Sequence, residues 1–359
     1  MNPLNKALLL GACGFLFANG VSRAADFAFG ADLSFLKQAE DGGKVFKDGT
    51  NASPGLQIFR DHGYNWIRLR IFVEPVGQHL PNDLKYTLAM AQAAKKLGYK
   101  FLLDFHYAST WADPGKQPTP KQWQAMSHAE RVEAVFAYTR DTIAALRNGG
   151  ALPDMVQIGN EVSNGMLWPD GQLPDNWDHF AAYIYAGING VDAGRGNGAR
   201  PKIMIHVDFG GAKDKTKWFF DKLNSYNVPY DVIGFSYYPR WQGTLMDLRE
   251  TLAFAANEYG KDIIVVETGH NWKPIPATSD RPQPFPTTPE GQRDFLDEVT
   301  RIVMDVPGGH GKGVFWWEPA ESRNIDGRSF FDADGNSLPV LTVFDKYTRP
   351  PSKKNSLLQ

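Results

Sequence analysis

Eight short runs rich in β-branched and aromatic residues, each leading into a longer amphipathic stretch, most restrict what this 359-residue chain can fold into. The runs are 27–34, 65–73, 100–107, 154–162, 202–207, 231–238, 262–269 and 313–319. Between them the apolar spacing turns helical. In 84–97, Leu84, Leu88, Ala91, Ala94 and Leu97 share a face, and Gly98 supplies the stop. Strand runs alternating with helical patterns read as βα units around a parallel sheet.

Two architectures use that alternation. A doubly wound open sheet gathers its polar residues at one switch point and commonly carries Gly-x-Gly-x-x-Gly after its first strand. Neither mark is present. Instead, polar or aromatic residues close nearly every run, which suits a (β/α)₈ (TIM) barrel whose strand ends converge on one face. The expected fold is therefore a single-domain α/β TIM barrel over 25–350, followed by a disordered tail, 351–359.

The first 24 residues stand apart. Lys6 precedes an apolar run of about a dozen residues, 7–18, and Ser22-Arg23-Ala24 has the small-x-small form of a cleavage site. The run falls short of the ~20 residues that span a bilayer, so 1–24 reads as a secretory signal peptide and the product as exported, to the periplasm or outside the cell. Cys13, the one cysteine, lies in this segment and leaves the mature chain without a disulfide or a cysteine metal site. Without Lys6 and Arg23 the chain has 36 basic and 40 acidic residues, a formal charge of −4. That balance argues against nucleic-acid or anionic-membrane partners, and a monomer is expected.

The chemistry gathers at the ends of the runs. They close with Gly30-Ala31-Asp32-Leu33-Ser34, Arg68-Leu69-Arg70, Asp104-Phe105-His106-Tyr107 and Gly159-Asn160-Glu161, and then with His206-Val207-Asp208, Ser236-Tyr237-Tyr238-Pro239, Val266-Glu267-Thr268 and Trp316-Trp317-Glu318-Pro319. Glu161 and Glu267 each follow an apolar run, where a carboxylate is costly unless paired or used. They belong to the fourth and seventh runs, which face each other across an eight-stranded barrel. Two carboxyls ~5–5.5 Å apart are what a retaining glycosidase needs, one to protonate the leaving oxygen and one to attack the anomeric carbon. A structural ion pair with Arg68 or Arg70 is the plain alternative. Asn160 could hold a sugar 2-hydroxyl, His106 could orient a carboxylate, and Tyr237 or Tyr238 could donate to the nucleophile. Trp317 suits the floor of the cleaved subsite, and Trp111 and Trp168 suit outer platforms. Asp32 joins the sugar-binding candidates.

At these residues the chain resembles glycoside hydrolase family 53, the endo-β-1,4-galactanases. The likeness runs from Gly30 to Pro319 and is most specific at Thr110-Trp111-Ala112-Asp113-Pro114 and Gly165-Met166-Leu167-Trp168-Pro169. It implies Glu161 as acid/base and Glu267 as nucleophile. Arg68, His106, Asn160, Tyr237 and Trp317 would line the cleavage subsite, with β-1,4-galactan of pectin and type I arabinogalactan as substrate. Some relatives bind calcium near the eighth loop. Their ligands have no match here, so no metal or other cofactor is expected. The chain departs from the family at Ala108-Ser109, where Ser-Asp is usual, and at Gly269-His270-Asn271-Trp272, where Ala-Tyr-Pro-Trp is usual. The residues alone leave open another β-linked polysaccharide (mannan, xylan or β-glucan) or a non-catalytic carbohydrate-binding barrel.

Overall fold

Each of the eight runs forms a parallel strand. They are β1 (Ala28–Asp32), β2 (Trp66–Ile71), β3 (Lys100–Phe105), β4 (Met155–Ile158), β5 (Lys202–Val207), β6 (Val232–Tyr237), β7 (Asp262–Thr268) and β8 (Gly311–Trp317). Neighbours in sequence pair, and β1 pairs with both β2 and β8, which closes the barrel. The structure is a computed structural model that describes residues 26–77, 79–274, 283–320 and 327–349. The expected signal peptide 1–24 and tail 351–359 lie outside the described residues.

Helices wrap the sheet: α1 (Leu36–Asp41), α2 (Gly55–Asp61), α3 (Leu84–Lys96), α4 (His128–Asn148), α5 (Trp177–Gly194), α6 (Lys213–Ser225), α7 (Leu245–Tyr259) and α8 (Pro289–Met304). Local chemistry sets their ends. Ser127 and Glu130 form a reciprocal capping box at α4, and Thr244 and Asp247 do the same at α7. Pro289 opens α8 at a position where no N–H is needed, behind the Thr288 cap. The last unit departs from the expected pattern. After β8 comes a short 3-10 turn, Pro339–Phe344, in place of a long helix. Its Val340, Leu341 and Phe344 are buried, and Phe344 packs on Phe29 at 4.8 Å.

Alternation along the strands builds two apolar layers. Outward residues such as Phe29, Ile67, Leu103, Val156, Ile203 and Phe235 meet the helices. Inward residues plug the bore: Ala28, Trp66, Leu102, Met155, Met204, Val232, Ile264, Val266 and Phe315. Gly30 makes room for one of them, since a Cβ there would sit 2.3 Å from the Phe315 ring. Two residues further along β2, β3, β4 and β5 the inward positions turn polar, as Arg68, Asp104, Gln157 and His206, all buried. The plug thus forms the floor of a polar site at the carboxyl ends of the strands.

Candidate active site

Neither glutamate reaches the bore by regular alternation. On β7, Ile263 and Val265 face the helices and Ile264 faces inward. A register shift then pairs Phe235 with Val265 but Ser236 with Glu267, leaving Val266 as the extra residue. This bulge turns Val266 and Glu267 both toward the bore, a common way to re-aim a side chain at a site. After β4 the chain turns through Gly159 at φ +83 and Glu161 itself at φ +45. That left-handed conformation is costly for a side chain other than glycine.

The two carboxyls meet different surroundings. Glu267 accepts from Arg68 Nη1 at 3.2 Å and from the Tyr238 hydroxyl at 2.9 Å. Glu161 accepts from Ser236 Oγ at 2.6 Å, and among the described residues no guanidinium is bonded to it. Burial raises both pKa values. For Glu161 the negative charge of Glu267 adds to burial and pushes it well above the usual range. For Glu267, Arg68 and Tyr238 oppose burial and the rise is smaller. The rise is larger at Glu161 than at Glu267, the order that acid and nucleophile roles require.

Asp32, Asp104, Glu161, Glu267 and Glu318 crowd around the guanidinium groups of Arg68 and Arg70. Arg68 pairs with Asp32 and Asp104 at 2.8 Å each and donates to Asn160 Oδ1 at 2.8 Å. Arg70 pairs with Asp32 at 2.9 Å and with Glu318. Burial raises Asp104, but Arg68 and then His106 outweigh it and bring it down to about 2. Asp32 is likewise lowered, because Arg70 and Arg68 outweigh burial. Burial pushes Glu161 and Glu318 well above the usual carboxylate range, opposite to Asp32 and Asp104.

Both glutamates line two adjoining hollows. An inner one of about 200 Å³ is lined by Arg68, Arg70, His106, Trp111, Asn160 and Trp317 among others. A groove of about 610 Å³ continues past Asp113, Tyr238, Trp241 and Arg328. The opposite mouth holds a hollow of about 550 Å³ lined by Lys100, Asp154, Lys202 and Asp262, but by neither glutamate.

Residues 28–348 match the glycosyl hydrolase family 53. The chain belongs to that family. It is 39% identical to an uncharacterised protein from the bgaB 5' region of Niallia circulans, covering 89% of this chain and 90% of that one. It is 32% identical to an arabinogalactan endo-beta-1,4-galactanase of Cellvibrio japonicus, covering 94% and 97%. Among solved structures, a fungal beta-1,4-galactanase superposes with a TM-score of 0.82 at 31% identity, covering 89% of this chain and 99% of that one.

Against this family background, the structure gathers most of the residues singled out in the sequence. Glu161, Glu267, Arg68, His106, Asn160, Trp111 and Trp317 line the inner hollow. Arg328 lies over the Trp317 ring at 4.5 Å. Three placements differ from expectation. Tyr237 points outward, stacks near Phe295 and bonds Gly243 O at 3.2 Å; the hydroxyl on Glu267 belongs to Tyr238. Asp32 is consumed by Arg68, Arg70 and Ser34 and lines neither hollow, so it positions the arginines. Trp168 donates its indole N–H to Asn164 O at 2.9 Å and lines neither hollow.

Gln157, Ser236 and Trp241 also belong to the site, although the sequence pattern alone gave them no role. Gln157 and Ser236 were within reach, since alternation from Met155 and Val232 aims them inward. Among the described residues, the histidines and carboxylates close enough to share a metal ion are His128, Asp170 and His179, which line neither hollow. There Arg131 and Tyr183 also engage Asp170, and the two imidazoles stack face to face at 3.7 Å. Hydrogen bonding and stacking account for that cluster.

Proposed function

We propose that the protein is an exported, retaining endo-β-1,4-galactanase acting on galactan and type I arabinogalactan. The observation that carries this is the unequal pair of buried glutamates in one groove, Glu267 held by Arg68 and Tyr238, Glu161 by the Ser236 hydroxyl. In the first step the Glu267 carboxylate attacks the anomeric carbon. The bond to the leaving oxygen breaks, and that oxygen takes the proton of Glu161. In the second, Glu161, now a carboxylate, removes a proton from water as the water displaces Glu267. In this reading Asn160, bonded to Arg68 and to Ala112 O, engages the 2-hydroxyl. The scheme needs no metal, and a chelator is expected to leave the rate unchanged.

The names of the family relatives support galactan as the sugar and internal bonds as the target. Export rests on the 1–24 segment; among the described residues no helix is long and apolar enough to cross a membrane. The test is product analysis on purified linear galactan, mannan, xylan and β-glucan. Short β-1,4-galacto-oligosaccharides from galactan, with an early fall in viscosity, are expected. Cleavage of xylan or mannan with galactan untouched would overturn the substrate.

A further inference from the structure

Behind Glu161 runs a chain of buried polar side chains that the two-carboxyl scheme does not use. Arg68 directs Nε and Nη2 at Gln157 Oε1, both at 3.4 Å, so the amide oxygen faces the cation and the amide nitrogen faces the other way. Gln157 Nε2 then meets Asp104 Oδ1 at 2.6 Å and His206 Nδ1 at 2.9 Å. The backbone N–H of Glu161 also points at His206 Nδ1, at 3.4 Å. Two donors facing Nδ1 make it the lone-pair nitrogen and place the ring proton on Nε2. His206 Nε2 lies 2.9 Å from Ser236 Oγ, and Ser236 Oγ lies 2.6 Å from Glu161 Oε1.

We propose that His206 and Ser236 are positioning residues for the acid/base, forming a one-way hydrogen-bond chain that confines the transferable proton of Glu161 to Oε2. The direction follows from donor counting. His206 Nε2–H takes one lone pair of the Ser236 oxygen, and the single hydroxyl proton of Ser236 is donated to Glu161 Oε1, 2.6 Å away. While Ser236 donates to it, Oε1 is an acceptor, and the carboxyl proton resides on Oε2. Without the chain, the proton could rest on the oxygen turned away from the leaving group. His206 stays neutral, because burial and then Arg68 drive its pKa well below the usual histidine value. The charged and titratable groups facing it are Arg68, Asp104 and His106. Those facing Glu161 are Glu267, Asp208 and Arg68. Of the interactions on Glu161, the Ser236 bond is the leading one that lowers its pKa.

This rests on Glu161 being the acid, and the experiment separates the two claims. The full-length protein and its Ser236→Ala, Ser236→Cys, Ser236→Thr and Glu161→Gln variants are assayed for kcat/KM against pH. The substrates are galactan and a nitrophenyl β-galactobioside, whose leaving group needs no proton. Ser236→Ala is expected to lose about three- to tenfold on galactan and under twofold on the aryl substrate. Its basic limb moves to higher pH, because the removed donor had lowered the pKa. Ser236→Cys, of similar shape but a weak donor, moves the same way, and Ser236→Thr restores both values. An unmoved basic limb, or equal losses on the two substrates, would overturn the chain while leaving Glu161 as the acid. If Glu161→Gln slows the aryl substrate as much as galactan, the acid assignment itself fails.

Discussion

Tyr238 and Tyr237 are adjacent, yet only one touches the chemistry. Tyr238 donates to Glu267 and so favours the anion; removing that bond raises the nucleophile's pKa. Tyr238→Phe is therefore expected to move the acidic limb of the kcat/KM profile to higher pH and to lower kcat/KM about tenfold or more. Tyr237→Phe loses a bond to Gly243 O, leaves that limb in place and costs about 1 kcal/mol of stability in urea titration. The choice was legible in the sequence. Ser236 faces inward, so Tyr237 must face out and Tyr238 in; the family likeness pointed at the wrong neighbour and alternation at the right one. A second residue-scale expectation concerns Glu161. Its folded pKa lies well above that of an unfolded glutamate, so the folded state retains a proton that the unfolded chain gives up. Stability is then lost as pH rises from about 4.3 toward the folded value. Glu161→Gln removes that loss. Its melting temperature should exceed the parent's at neutral pH, with the gap shrinking as pH falls toward 4.

At the scale of elements, the eight strands and the ends of helices such as α3 were written plainly in periodicity and caps. The devices that aim the glutamates were not. The β7 bulge depends on how β6 and β7 fit around a closed bore, which no local pattern encodes, and strict alternation from Ile264 would have sent Glu267 to the helices. The turn after β4 left a trace in Gly159. Its φ of +83 excludes most side chains, and a Cβ there would lie 2.4 Å from Val162 Cγ1. Gly159→Ala is expected to cost about 2 kcal/mol in denaturant titration and to depress kcat further than that loss explains, since the turn also holds Glu161. A variant with parent-like kcat would show that the turn does not set the acid. The shortened final unit also escaped prediction. The apolar run at 339–344 satisfies a helix-facing core as readily with a 3-10 turn as with an α-helix.

For the whole molecule, the barrel assigns stability and chemistry to different depths of one bore. Nine apolar residues plug its lower part, and a buried network of two arginines and four carboxyls fills the level above, with Glu161 beside it. An unequal pair of acids is what that network leaves at the groove. Exporting the chain should remove 1–24, and mass spectrometry of the secreted protein is expected to find the mature start at residue 25. The account stands most directly on the stereochemistry of its product. Proton NMR of galactan hydrolysis, read before mutarotation, should show the new reducing end as the β anomer, because two displacements at one carbon restore its configuration. The α anomer appearing first would mean a single displacement by water and would contradict Glu267 as the nucleophile.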